Sequence, residues 1–160
     1  MTWPEPVERV ARHLREAQVE ARIEEFDEGT PTAEDAARAV GCELEQIVKS
    51  LVFSCDGRWV VVMVPGDARA DPGKIAAAAG CGRAKVAGAA DVRIATGFQA
   101  GGVAPFPLPR VESVLIEQRL LTQEVVWFGA GTARHMAALA PADLVRLSRA
   151  RPIDAVADNP

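Results

Sequence analysis

Two β-rich runs, Ile47–Ser54 and Trp59–Val64, flank Cys55-Asp56-Gly57-Arg58, and no other feature constrains the chain as strongly. Asp-Gly tolerates the left-handed backbone of the tight turns whose twist matches paired strands, so the two runs predict an antiparallel hairpin. Lys49 is out of place in its run, because burying an ammonium is costly without an anionic partner. Around the hairpin, Val7, Val10, Ala11, Leu14 and Ala17 follow helical spacing and predict an amphipathic helix over Glu5–Ala17. Val19, Ala21 and Ile23 alternate as in a half-exposed strand. Thr32, with Asp35 three residues on and Gly41 behind, brackets a helix at Ala33–Val40. Asp71-Pro72 and Gly80 bracket another over 72–79. Val92–Thr96 reads as a short helix or turn, Val111–Leu115 and Glu124–Phe128 as strands, and Pro141–Arg149 as a closing helix. Helices and strands mix without strict alternation. The fold class is therefore α+β, with a mixed, mostly antiparallel sheet in a single domain over residues 1–151. The polar, proline-flanked stretch 152–160 reads as a frayed tail.

Composition narrows the function. No apolar run is long enough to cross a membrane, and the N-terminus lacks the basic and apolar regions of an export signal. Three cysteines, Cys42, Cys55 and Cys81, form an odd set without regular spacing, which argues against a disulfide framework and for a reducing, cytoplasmic setting. A net charge of −4 does not advertise nucleic-acid binding, but the charge is uneven. Residues 1–35 carry ten acids and four arginines, whereas 68–94 carry Arg69, Lys74, Arg83, Lys85 and Arg93 against Asp71 and Asp91. Such a basic middle can hold phosphates on an acidic protein.

Several familiar motifs fail. Gly66–Lys74 has the wrong glycine spacing for a phosphate-binding loop and places Ile75 where a hydroxyl must reach magnesium. Gly129-Ala130-Gly131 carries Arg134 at the third glycine position of a dinucleotide fingerprint and is better read as a tight turn. Two histidines, His13 and His135, and no Cys-x-x-Cys pair leave no metal-ligand spacing, so no metal or cofactor is expected. No local signature supports a Cys–His hydrolase, and no Gly-x-Ser-x-Gly elbow exists for a serine one.

What survives is Lys49-Ser50 on the first hairpin strand and the loop Thr96-Gly97-Phe98-Gln99-Ala100-Gly101-Gly102-Val103-Ala104-Pro105. Adjacent glycines leave backbone N–H groups uncovered, which is useful where something approaches the main chain closely. Lysine and glycines together point to a pocket for a ligand with an anionic group and a carbonyl.

In order, Lys49-Ser50-Leu51-Val52-Phe53, the loop 95–105, Phe128-Gly129-Ala130-Gly131 and Pro141-Ala142-Asp143-Leu144 resemble the YbaK / prolyl-tRNA-synthetase-associated editing domain family over residues 5–150. The resemblance implies that family's barrel-like mixed sheet surrounded by helices. It implies a deacylase that hydrolyses the ester of mischarged aminoacyl-tRNA, above all tRNA for proline. The expected partners are the acceptor end of that tRNA and prolyl-tRNA synthetase, with no membrane involved. Lys49, Gly101 and Gly102 are then the expected catalytic residues. Lys49 supplies a point charge for the terminal phosphate, and the glycine N–H groups face the ester carbonyl or the terminal ribose. Ser50, Thr32, Phe98, Pro105, Gly129 and His135 are the expected substrate-binding residues, and Phe53 and Met63 further candidates for the pocket wall. The alternative reading is a non-catalytic tRNA- or synthetase-binding module of the same fold.

Overall fold

The computed structural model describes residues 2–158. Helix α1 (Glu5–Glu16) starts after Pro4 and buries Val7, Val10, Ala11 and Leu14, the stripe its spacing predicts. Strand β1 (Arg22–Glu25) follows, a few residues later than the alternation suggests. Helix α2 (Ala33–Val40) is capped as expected: Asp35 N–H donates to Thr32 Oγ1 at 3.0 Å, and Gly41 ends the helix in the left-handed region. The hairpin is β2 (Ile47–Cys55) and β3 (Arg58–Pro65), in register from Val48↔Pro65 to Cys55↔Arg58. Asp56 (φ 53°) and Gly57 (φ 83°) both take the positive φ that such a turn needs.

Helix α3 (Pro72–Ala79) is capped by Asp71, whose carboxylate accepts from the Gly73 and Lys74 N–H groups. Strand β4 (Ala84–Val86) and helix α4 (Ala89–Thr96) lead into the glycine loop. Strands β5 (Ser113–Glu117), β6 (Val126–Gly129) and β7 (His135–Leu139), helix α5 (Pro141–Ser148) and strand β8 (Arg151–Ile153) complete the domain.

One mixed sheet runs β1-β7-β6-β2-β3-β5-β8, with β4 added to β2. β2/β3, β2/β4, β1/β7 and β6/β7 are antiparallel, while β2/β6, β3/β5 and β5/β8 are parallel. This is the α+β, mostly antiparallel mixed sheet read from the sequence. Both faces are covered, because side chains alternate along each strand. Val48, Met63, Ile116 and Phe128 meet α1 and α5 on one face, and Val52 and Val61 meet Val92 and Ala95 of α4. On the other face Phe53, Val60, Val62 and Leu115 pack on Ile75 of α3, and Ile47, Trp127 and Met136 on Ala36 and Ala37 of α2.

Two expectations are corrected. The tail does not fray at Pro152: β8 pairs with β5, and Ala155 and Val156 are buried. The buried Glu117 carboxylate accepts from the Ala155 and Arg119 N–H groups, each at 2.8 Å, so it is stabilised as an acceptor. Ala157 N–H donates to Arg69 O, and Lys74 Nζ reaches Asp154, Asp158 and Val156 O. The tail therefore holds residues 69–74 in place. Second, Cys55 and Cys81 form a disulfide, with Cα atoms 5.8 Å apart, contrary to the expectation of unpaired thiols. The turn behind α3 brings together two cysteines that lie 26 residues apart. No helix among the described residues is long and apolar enough to cross a membrane.

Candidate functional site

β3 lines one edge of β2 throughout, but the opposite edge is shared by two short strands. β6 pairs with Ile47 and Val48, and β4 with Phe53–Cys55. Ala87 N–H adds a bond to Val52 O at 2.9 Å. Between these partners Lys49, Ser50 and Leu51 have no strand on this second edge. A cavity of about 360 Å³ opens at this gap, bounded by Thr30–Ala33, Ala36, Gly101, Val103, Gly129, Thr132, His135 and Met136. Neighbours in a strand point to opposite faces, so Lys49 and Ser50 share one cavity only because the sheet is interrupted here.

Lys49 Nζ donates to Ala68 O at 2.7 Å. Burial pushes its pKa below the usual lysine value, and the nearby Glu34 and Asp67 carboxylates oppose that shift. Asp67 is itself held by Arg119 Nη2, at 3.0 and 3.2 Å to its two oxygens. The Ser50 hydroxyl is buried without a hydrogen-bond partner among the described residues. An unmet buried hydroxyl costs stability, so its place beside a cavity points to a ligand that satisfies it.

The two loop glycines play different parts. Gly101 is exposed at φ +89°, with nothing within 4 Å of the position a Cβ would occupy. Its N–H makes no hydrogen bond among the described residues, so it remains available at the mouth of the slot. Gly102 is buried, and its N–H donates to Gln99 O at 2.9 Å. A Cβ there would lie 2.7 Å from Thr132 Cα. Its part is close backbone packing, so the expectation of two uncovered N–H groups is corrected to one. Gly129 likewise admits Val103, whose O would lie 3.0 Å from an added Cβ.

His135 opens β7 and lines the slot at only 3% exposure. Its Nδ1 lies 2.6 Å from Thr132 Oγ1, and the Trp3 ring stands edge-on to it. Its Nε2 is 3.1 Å from Glu25 Oε2, but the geometry is too poor for a hydrogen bond. The imidazole is thus fixed as a wall of the slot.

Of the sequence-derived residues, the structure gathers Lys49, Ser50, Thr32, Gly101, Gly129 and His135 around one cavity. It places Phe98, Pro105, Phe53 and Met63 elsewhere. Phe98 is fully buried beneath the Arg9 guanidinium, 4.5 Å from the ring centroid. Phe53 and Met63 are core residues on opposite faces of the hairpin. Pro105 borders a larger cleft of about 990 Å³ between α1, α5 and the segment 105–115. Thr132, Thr30, Val103 and Met136 line the slot without having been singled out. The Gly131-Thr132 step was a legible turn, but its approach to Gly102 is visible only in three dimensions.

The described residues include no cluster of His, Cys, Asp and Glu able to hold a metal ion. Cys55 and Cys81 are tied to each other, and burial followed by the charge of Glu43 raises the Cys42 thiol pKa. None of the three lines the slot, which removes the thiol-hydrolase reading.

Residues 27–147 match the profile of the aminoacyl-tRNA editing domain. The uncharacterised protein YwhH of Bacillus subtilis (strain 168) is 31% identical over 140 residues, 87% of this chain and 88% of that protein. A proline–tRNA ligase of Maridesulfovibrio salexigens is 28% identical over 119 residues, 72% of this chain but 20% of the ligase. A crystal structure of a candidate trans-editing enzyme for prolyl-tRNA synthetase superimposes with a TM-score of 0.91 at 32% identity, covering 98% of this chain and all of that one. With its profile match spanning most of the chain, this protein belongs to the YbaK-like aminoacyl-tRNA editing domain family.

Proposed function

We propose that this protein is a trans-acting deacylase that hydrolyses the ester of mischarged aminoacyl-tRNA, with tRNA for proline as its substrate and prolyl-tRNA synthetase as a functional partner. The observation that carries the reading is the gap on β2. It places an ammonium, an unmet hydroxyl and an available backbone N–H around a cavity the size of an amino-acid side chain and its ester. The family match and the similarity to a proline–tRNA ligase support the choice of substrate.

In this mechanism water attacks the ester carbonyl carbon. The carbonyl oxygen gains negative charge, and then the bond to the ribose oxygen breaks; that oxygen takes up the proton lost by the attacking water, releasing the amino acid and a ribose hydroxyl. Gly101 N–H donates to the developing oxyanion, and the Lys49 charge stabilises it or the adjoining phosphate. The ester is already activated, so positioning supplies much of the remaining acceleration. A neighbouring ribose hydroxyl of the substrate orients the water, in keeping with a slot whose one histidine is held by Thr132. The Ile47, Ala36 and Met136 side chains bound the space for the amino acid and set its size limit.

The test is deacylation of proline tRNA charged with Ala, Cys, Ser, Thr or Pro, by the wild type and Lys49→Ala. Hydrolysis of one or two non-cognate esters, lost in the variant, is the expected result. Retained tRNA binding with no hydrolysis of any ester would replace the deacylase with a binding module.

A further inference from the structure

One lip of the slot is acidic, and the surface beyond the opposite end of the gap is basic. On the side of β1 and α2 stand Glu24, Glu25, Asp27, Glu28, Glu34 and Asp35, within the residues leading to and opening α2. On the other side, Arg83 precedes β4 while β4 and α4 carry Lys85 and Arg93; all three are exposed, with Asp91 as the one acid of that segment. These cations differ from most others in the protein. Arg9, Arg15, Arg22, Arg38, Arg58 and Arg134 each pair with a carboxylate. Among the described residues, Arg83, Lys85 and Arg93 make no ion pair and no side-chain hydrogen bond. Ile94, at 56% exposure, stands exposed beside Arg93.

The register fixes where this strip lies. Lys85 pairs with Ser54 and therefore shares a sheet face with Ser54 and Ser50. It lies about 13 Å beyond Ser50 along β2 at the usual strand rise. Val92 and Ala95 of α4 pack on Val52 and Val61, on that same face, and leave Arg93 exposed beside them. After α4 the chain runs directly to Gly101 at the mouth of the slot. The strip thus extends one face of β2 away from the gap, opposite the acidic lip.

We infer that Arg83, Lys85 and Arg93 form a phosphate-binding track that guides the polynucleotide strand to the slot. The inference deepens the deacylase reading, on which it rests, by naming the surface that holds the RNA and its direction of approach. Phosphates lie against the three cations, and a sugar or base face lies against Ile94. On the acidic lip Arg22, Arg134 and Arg38 offset Glu24, Asp27 and Asp35, so Glu25, Glu28 and Glu34 supply the charge that disfavours the opposite path.

The test is fluorescence anisotropy of a labelled RNA hairpin with a four-nucleotide single-stranded 3′ end, titrated with wild type, Lys85→Glu/Arg93→Glu and Arg12→Glu/Arg22→Glu. The last variant makes the same charge change on α1 and β1, away from the track. All four positions are exposed, and circular dichroism confirms folding of each variant. The track predicts at least tenfold weaker binding for Lys85→Glu/Arg93→Glu, against less than threefold for the charge-matched variant. It also predicts a slope of log Kd against log salt that is shallower by about 1.5 than wild type, since each lost phosphate contact removes roughly 0.7–0.9. Equal weakening in both variants, unchanged binding in the first, or no RNA binding by the wild type overturns the inference. The deacylase reading stands or falls separately on ester hydrolysis, so the two failures are distinguishable.

Discussion

The slot on β2 and the cleft between α1 and α5 contrast sharply: the cleft is nearly three times larger, yet the chemistry points to the slot. In the cleft, several polar groups already have partners. His13 Nε2 lies 3.2 Å from Leu147 O, Ser148 Oγ donates to Leu144 O at 2.6 Å, and Arg146 meets Asp143. Three buried side-chain polar atoms lack a hydrogen-bond partner among the described residues, and two of them, Ser50 Oγ and His135 Nε2, belong to slot residues. The third, Arg9 Nε, belongs to the cleft; it lies 3.1 Å from a Glu5 carboxylate oxygen, just as His135 Nε2 lies 3.1 Å from one of Glu25, so the contrast rests on Ser50 Oγ. Unmet hydrogen bonding and an interrupted strand edge, rather than volume, separate a site prepared for a ligand from a packing groove.

The comparison breaks first under substitutions that exchange stability for activity. Phe106→Ala in the cleft removes a buried ring that packs against Phe128 at 5.7 Å and His13 at 5.1 Å. It is expected to cost about 3–5 kcal/mol of stability by chemical denaturation, with deacylation by the remaining folded protein within twofold of wild type. Lys49→Ala is expected to do the reverse. Single-turnover deacylation falls at least about a hundredfold, or about 2.7 kcal/mol, as for loss of one group aimed at a developing oxyanion. A Lys49→Ala enzyme as fast as wild type would assign the chemistry to another region.

Smaller effects sharpen the contrast inside the slot. Gly102→Ala forces the backbone at Thr132 to move and is expected to cost about 1–3 kcal/mol, as overpacking does. Gly101→Ala meets open space and incurs only the strain of its positive φ, about 1 kcal/mol at the lower end of the usual range. Similar melting losses for the two would contradict their separate roles. Ser50→Ala is expected to leave stability unchanged or raise it by less than about 1 kcal/mol, because it removes an unmet hydroxyl, while raising KM.

The pH response of Lys49 has two opposite signs. Its folded-state pKa lies below the unfolded value, so between the two the unfolded chain holds more of the proton. Its contribution to stability therefore rises with pH across that window, up to the ordinary lysine range. Activity that needs the ammonium falls over the same window. Denaturation and rate profiles at rising pH, with Lys49→Met as reference, check both signs; parallel changes would contradict the account.

The legible parts of the sequence were those where local chemistry dictates local structure. Asp56-Gly57, Thr32, Asp71 and Gly41 mark a turn, two helix starts and a helix end, and each is found as read. β7 escaped because His135-Met136-Ala137-Ala138-Leu139 has little intrinsic strand preference and is held by β1 and β6 on its two edges. β8 escaped because Pro152 sits on an edge strand, where its missing N–H is tolerated. In the site, Lys49 and Gly101 were legible because they violate the pattern around them. Gly102 was misread because its bond to Gln99 and its contact with Thr132 depend on the folded loop. Phe98 and Pro105 were placed at the site by proximity in sequence, but the loop turns them into the core and toward the cleft.

The most direct test is a crystal structure with 3′-aminoacylamino-adenosine, in which an amide replaces the ester and resists hydrolysis. The account predicts the aminoacyl group in the gap beside Lys49, Ser50 and Leu51, with its carbonyl oxygen accepting from Gly101 N–H and the Ser50 hydroxyl engaged. Binding in the cleft beside Phe106 and Leu147, with the gap on β2 unfilled, would contradict it.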